Sequence, residues 1–127
     1  MTKLNSMNLP IKNLILDMDG VLWRGDTPMP GLVAFFDTLR AAGIGFILAT
    51  NNATKTAAMY TERLARFGVS VPPQQILTSA EATASYLAER FDSGALIYVI
   101  GGKGLHDAVL AQGFRILPAA EVRTGAK

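Results

Sequence analysis

Short aliphatic segments alternate with segments of helical periodicity along the whole of this 127-residue chain. Ile11 to Asp17 and Ile44 to Ala49 are almost uncharged, which is typical of buried parallel strands, and Leu96 to Ile100 predicts a third strand. Between and after them, apolar residues recur at intervals of three and four, as expected for helices that bury one face. The alternation predicts an α/β fold with a parallel sheet wrapped by helices.

The boundaries of the predicted helices follow from capping and breaking residues. Gly43 and Gly68 are natural stops, and Thr78 with Glu81 has the spacing of a capping box. The remaining predicted elements are helices at 32–42, 54–67, 78–91 and 104–112, and a last strand at 114–117.

Composition narrows the class of protein. The chain has no cysteine, so disulfides and thiolate metal sites are excluded and a cytoplasmic protein is expected. The net charge of +2 is spread out, and no block of Lys and Arg indicates a nucleic-acid or membrane surface. Residues 1–9 lack the apolar core of a signal peptide and are expected to be a flexible tail.

The first candidate site follows the first strand, where Asp17 and Asp19 stand two residues apart. Ligands of parallel sheets bind beyond the carboxyl ends of the strands. Residues i and i+2 of an extended segment point the same way, so both carboxylates could face one site that holds Mg²⁺. One Asp could attack phosphorus while the other transfers protons, and Gly20 would let the backbone turn sharply towards the ligand. The alternative is a loop in which both carboxylates cap local amides.

The segment Leu14 to Trp23, LILDMDGVLW, resembles the first motif of the haloacid dehalogenase superfamily. The resemblance implies that Asp17 is the nucleophile, that Asp19 is the general acid/base, and that both bind Mg²⁺. It also implies that Val21 to Thr27 forms a turn and hairpin flap over the site. Trp23 and Arg24 would lie near the entrance, although a packed aromatic and a solvated charge are the favoured interpretations.

The second candidate site follows the second strand, at Thr50, Asn51 and Asn52. A hydroxyl, amides and backbone N–H groups before a helix suit a phosphate, which Gly20 would also contact. The alternative is that Asn52 or Thr54 caps the helix and Thr50 closes a turn. The segment resembles the second motif of the same superfamily, in its NagD-like, p-nitrophenyl phosphatase and pyridoxal phosphatase subfamily, which implies that it binds the phosphoryl group.

The glycine-rich segment Gly101 to Gly104 matches neither nucleotide-binding pattern, so a plain strand-to-helix turn is expected there. His106, the only histidine, has no potential co-ligand nearby in sequence and is predicted to be a surface helix residue.

The resemblance implies a Rossmann-like, three-layer parallel-sheet core that is incomplete, because two later motifs and the cap domain are missing. Residues 10–118 would be the N-terminal part of the core, and 119–127 the start of a linker. The expected function is a Mg²⁺-dependent phosphomonoesterase for small phosphorylated metabolites, in a truncated form with reduced or no activity. The alternatives are a non-catalytic remnant with a binding or structural role and a receiver-like phosphoacceptor module. An unpaired edge of the first strand would favour a homodimer.

Overall fold

The computed structural model of the chain describes residues 11–123, and the predicted tail at 1–9 lies outside this range. It has the predicted α/β architecture with parallel strands. The strands are β1 (Asn13–Asp17), β2 (Trp23–Arg24), β3 (Thr27–Pro28), β4 (Gly45–Thr50), β5 (Ile76–Thr78), β6 (Leu96–Ile97) and β7 (Arg115–Ile116). The helices are α1 (Leu32–Ala41), α2 (Ala57–Arg66), α3 (Ser79–Ala88), α4 (Lys103–Ala111) and α5 (Ala119–Arg123), with a 3-10 turn at Pro73–Gln75.

The main sheet has the strand order β1-β4-β5, and all its pairs are parallel. Asp17 lies opposite Ala49, and Thr50 lies opposite Thr78. The carboxyl ends of the three strands therefore meet at one edge of the sheet. Within residues 11–123, no strand pairs with the outer side of β1.

One face of the main sheet forms the core. Phe46, Leu48 and Ile76 are buried there against side chains of α1 and α2. The opposite face is open in the described part of the chain, where Ile15 is 80% exposed and Ile47 is 45% exposed. The prediction that the first strand is buried is therefore wrong for Ile15. Helices α1 and α2 both lie on one side of the sheet, so every second strand residue faces solvent.

The third predicted strand is shorter than the aliphatic run that suggested it. Only Leu96 and Ile97 are extended and paired, and they pair with β7 instead of the main sheet. Strand β7 offers just two partners, Arg115 and Ile116, and Ile100 is 84% exposed. The third place in the main sheet belongs to β5, whose three residues are too few for periodicity to indicate a strand.

The helices follow the predicted pattern more closely. Helix α1 buries Leu32, Phe36 and Leu39, and the predicted capping box of α3 is formed by Thr78 and Glu81. A short helix, α5, occupies part of the predicted linker. None of the helices found within residues 11–123 combines the length and the apolar character that crossing a membrane requires.

Candidate functional site

Asp17 is the last residue of β1 and is exposed at the carboxyl edge of the sheet. Its neighbour Met18 is fully buried, so the change of face along the chain directs Asp17 away from the core. The backbone N–H of Met18 donates to Asp17 Oδ1 at 2.9 Å. This local bond limits the rotation of a carboxylate that remains accessible to a ligand.

Asp19 has a hydrogen-bond donor on each of its carboxylate oxygens. The indole N–H of Trp23 donates to Oδ1 at 3.0 Å, and the hydroxyl of Tyr60 donates to Oδ2 at 3.3 Å. Trp23 is 1% exposed and Tyr60 is 0% exposed, although the Asp19 side chain itself is exposed. Two donors on buried rings thus hold one carboxylate at the surface of the site.

The backbone turns sharply at Gly20, directly after Asp19, as predicted. Gly20 has φ 80°, in the left-handed region that glycine adopts without strain, and its N–H donates to the carbonyl of Trp23 at 2.8 Å. The N–H of Leu22 donates to the carbonyl of Met18, also at 2.8 Å. The hairpin of β2 and β3 follows directly. Trp23 is packed and Arg24 is exposed, as the simpler interpretations predicted.

Thr50 ends β4 beside the strand that carries Asp17, and it is only 7% exposed. Its hydroxyl accepts a hydrogen bond from the backbone N–H of Asn52 at 3.1 Å. Asn51 is exposed, and its carbonyl accepts from the hydroxyl of Ser79 at 3.0 Å. The second loop is therefore tied to its own backbone and to the start of α3.

The Asn52 side chain closes a turn within the second loop. Its Oδ1 accepts from the backbone N–H of Thr54 at 2.9 Å and from the Thr54 hydroxyl at 2.6 Å. The cap of α2 is Thr56, whose hydroxyl accepts from the N–H of Met59 at 3.3 Å. The alternative in which Asn52 or Thr54 caps this helix is wrong, because α2 begins several residues later.

Tyr60 lies on α2 and reaches the first loop, although neither motif in the sequence identified it. Its hydroxyl donates to Asp19 Oδ2. Burial raises the pKa of Tyr60 above its ordinary 10.0, Thr50 opposes this effect, and the negative Asp19 adds to it. Tyr60 therefore keeps its proton and remains a donor. A tyrosine on the apolar face of a helix needs a polar partner for its hydroxyl, and this requirement could have indicated that Tyr60 contacts a polar site.

The geometry of the site suits a hard cation only in part. Across residues 11–123, no group of three or more His, Asp or Glu side chains is arranged to hold a metal ion. Asp17 and Asp19 could still contribute oxygen ligands, since Mg²⁺ usually takes only one or two carboxylates from a protein. Asp17 and Thr50 lie on adjacent strands, and Tyr60 donates to Asp19.

The third loop lies against the second loop. A Cβ added to Gly104 would lie 3.1 Å from the carbonyl carbon of Thr54 and 3.2 Å from the backbone nitrogen of Lys55. Gly102 is also close to Thr54, but at the ordinary contact distance of 3.7 Å. His106 bonds through Nδ1 to the carbonyl of Gly102 at 2.9 Å. The segment is a strand-to-helix turn that supports the second loop.

Comparison with known proteins assigns the family. The sequence profile of the family described as Haloacid dehalogenase-like hydrolase matches residues 14–115. The chain is 37% identical over 105 residues to the acid sugar phosphatase of Staphylococcus aureus. It is similar to the structure of NagD from Escherichia coli, with 34% identity and a TM-score of 0.74. It is also similar to the glycerol phosphate phosphatase of Mycobacterium tuberculosis solved in complex with magnesium, with 28% identity and a TM-score of 0.77.

These similarities cover most of this chain and less than half of each known protein. The match covers 83% of this chain and 40% of the Staphylococcus aureus enzyme. The corresponding shares are 86% and 43% for NagD, and 88% and 33% for the Mycobacterium tuberculosis enzyme. The NagD-like resemblance and the Rossmann-like fold are thus confirmed over the matched region. On the extent of the profile match, the chain belongs to the haloacid dehalogenase-like hydrolase family.

Proposed function

We propose that this protein is a Mg²⁺-dependent phosphomonoesterase that acts through an aspartyl-phosphate on Asp17, with small phosphorylated metabolites as substrates. The observation that carries the proposal is the meeting of two strand ends, where Asp17 is exposed next to Thr50 and Asp19 is held by Tyr60. The relatives named above are a sugar phosphatase and a glycerol phosphate phosphatase, which supports a small phosphorylated substrate.

In the first proposed step, a carboxylate oxygen of Asp17 attacks phosphorus and the bond from phosphorus to the leaving alcohol oxygen breaks. Asp19, in its protonated form, gives its proton to that oxygen. Thr50 and the backbone N–H of Asn51 would hold the phosphoryl oxygens, with Asn52 and Gly20 shaping the turns on either side of them.

In the second proposed step, water attacks the phosphorus of the acyl phosphate and the bond from phosphorus to the Asp17 oxygen breaks. Asp19, now ionised, takes the proton of the attacking water, so the enzyme returns to its starting state with phosphate released. Mg²⁺ would be held by the Asp17 carboxylate and by the backbone carbonyl of Asp19, and it would neutralise charge on Asp17 and on the phosphoryl group.

Phosphate release from p-nitrophenyl phosphate tests this function. We expect release that requires Mg²⁺ and that falls at least about 10³-fold in Asp17→Asn, because the nucleophile is lost. Asp37→Asn is the matched control, since Asp37 is an exposed aspartate on α1. If the wild-type protein and Asp17→Asn are equally inactive, the non-catalytic alternative with a binding role replaces the proposal.

We also propose that the open edge of β1 pairs with β1 of a second copy. Within residues 11–123, the outer backbone groups of β1 have no strand partner, and Ile15 adds an exposed aliphatic side chain beside them. Unpaired edges associate with other strands, and two identical edges can pair about a two-fold axis. The mass in solution should then rise towards that of a dimer as concentration increases.

A further inference from the structure

We propose that Tyr60 is a positioning residue that fixes the orientation of the Asp19 carboxylate. This inference deepens the proposed function and rests on it for the role of Asp19 in catalysis. The hydrogen bonds themselves are independent of that role, so they can be tested separately.

Asp19 has a hydrogen-bond donor on each of its two carboxylate oxygens. One oxygen receives the Trp23 indole N–H at 3.0 Å, and the other receives the Tyr60 hydroxyl at 3.3 Å. An exposed carboxylate held by a single donor can still rotate, whereas donors on both oxygens restrict that rotation. The Tyr60 bond is longer than is usual between a hydroxyl and a carboxylate oxygen, and catalytic hydrogen bonds are often long before a ligand binds.

The two donor side chains, Trp23 and Tyr60, are rigidly packed. Trp23 and Tyr60 are stacked, with ring centroids 6.1 Å apart and an interplanar angle of 27°. The guanidinium of Arg63 lies over the Trp23 ring, 5.1 Å from its centroid, and the ring centroids of Phe67 and Trp23 are 5.8 Å apart. Because both rings are almost completely buried, their polar atoms have little freedom to move. The Asp19 carboxylate, which accepts hydrogen bonds from both side chains, is therefore held in one position.

Tyr60 brings α2 into contact with a loop that is distant in sequence. It lies on α2, which follows the second loop, yet its hydroxyl reaches the first loop. The position of the acid/base group therefore depends on the helix that follows the phosphate-binding loop.

The test uses Tyr60→Phe, which removes the hydroxyl and keeps the buried ring. Tyr86→Phe is the matched control, since Tyr86 is exposed on α3. The chain contains one tryptophan, so its indole N–H gives a single assignable signal in an ¹⁵N–¹H spectrum. At fixed pH, we expect this signal to move in Tyr60→Phe and in Asp19→Ala, and to stay in place in Tyr86→Phe.

A kinetic measurement on p-nitrophenyl phosphate accompanies the spectrum. We expect Tyr60→Phe to lower kcat about 10-fold with KM almost unchanged, because misplacing a reacting group slows the chemical step. A residue that only supported the fold would not separate kcat from KM in this way. An indole signal and a kcat that both remain at wild-type values in Tyr60→Phe would overturn the proposal.

A double-mutant cycle keeps the two proposals distinguishable. Tyr60→Phe and Asp19→Ala should be non-additive in the unfolding equilibrium constant by at least about two-fold, because the residues are in contact. If the wild-type protein releases no phosphate but the cycle and the indole signal show coupling, the proposed function fails and the positioning contact stands. Additive effects with an unmoved indole signal would remove the positioning role even in an active enzyme.

Discussion

The contact between the third and second loops leads to a prediction about Gly104. In Gly104→Ala, the new Cβ would lie inside 3.0 Å of the Ala53 carbonyl oxygen and 3.1 Å from the carbonyl carbon of Thr54. Both neighbours are backbone atoms, which cannot rotate away as the end of a side chain would. The substitution must therefore displace the segment that follows Asn52.

The magnitude follows from two opposing effects. Overpacking a closed contact costs about 1–3 kcal/mol, and the better helix propensity of alanine returns at most about 1 kcal/mol. We expect Gly104→Ala to lose about 1–2 kcal/mol of unfolding free energy, which lowers Tm by roughly 3–10 °C for a domain of this size. KM for a phosphate ester should also rise, because Thr54 supports the turn made by Asn52.

Gly102→Ala is the matched control for this prediction. Gly102 has φ −83°, which alanine adopts freely, and its added Cβ would make only ordinary contacts at 3.7–3.8 Å with Thr54. We expect a change within about 0.5 kcal/mol, because losing glycine at the cap and reducing the freedom of the unfolded chain nearly cancel. Thermal and urea denaturation measure both variants. Equal stabilities, or a Gly104→Ala protein that is the more stable, would refute the reasoning.

Three further predictions concern the site and its surroundings. Gly20→Ala and Gly94→Ala place alanine at φ 80° and 85° with open space around the new Cβ, so each should lose about 1–2 kcal/mol by denaturation, but only the first should impair phosphatase activity. The raised pKa of Tyr60 means that the folded state keeps a proton that the unfolded chain loses above pH 10.0, so stability should fall as pH rises past that value. Tyr60→Phe should remove part of this fall when urea unfolding is compared at about pH 9 and about pH 11, and an identical slope would contradict the shift. Ile15→Lys should keep the protein monomeric at concentrations where the wild type associates, as measured by light scattering, and an unchanged mass profile would count against pairing through β1.

The sequence predicted the parts of the fold that depend on local pattern. Helix α1 and the capping box of α3 follow from apolar spacing and from Thr78 and Glu81, and the structure has both. Strand β5 was not predicted, because three residues carry no periodicity and its place depends on pairing with β4. The predicted length of β6 was also wrong, because the length of this strand is set by its pairing with two residues of β7.

The candidate site divides in a similar way. Asp17, Asp19 and Thr50 are recognisable because polar residues directly after aliphatic strands are uncommon. Tyr60 was not recognised as part of the site, since its spacing on the helix is that of a core residue and its partner Asp19 is 41 positions away. Its role depends on how α2 packs on the sheet so that Tyr60 reaches Asp19, which is a tertiary property that local sequence does not encode.

The chemical identity of the phosphorylated group tests the account most directly. The protein would be mixed with p-nitrophenyl phosphate and Mg²⁺, quenched in acid within milliseconds, and analysed by peptide mass spectrometry. The account predicts one added phosphoryl group on the peptide that contains Asp17, present in Asp37→Asn and absent in Asp17→Asn. A phosphoryl group on any other residue, or phosphate release that continues unchanged in Asp17→Asn, would contradict it.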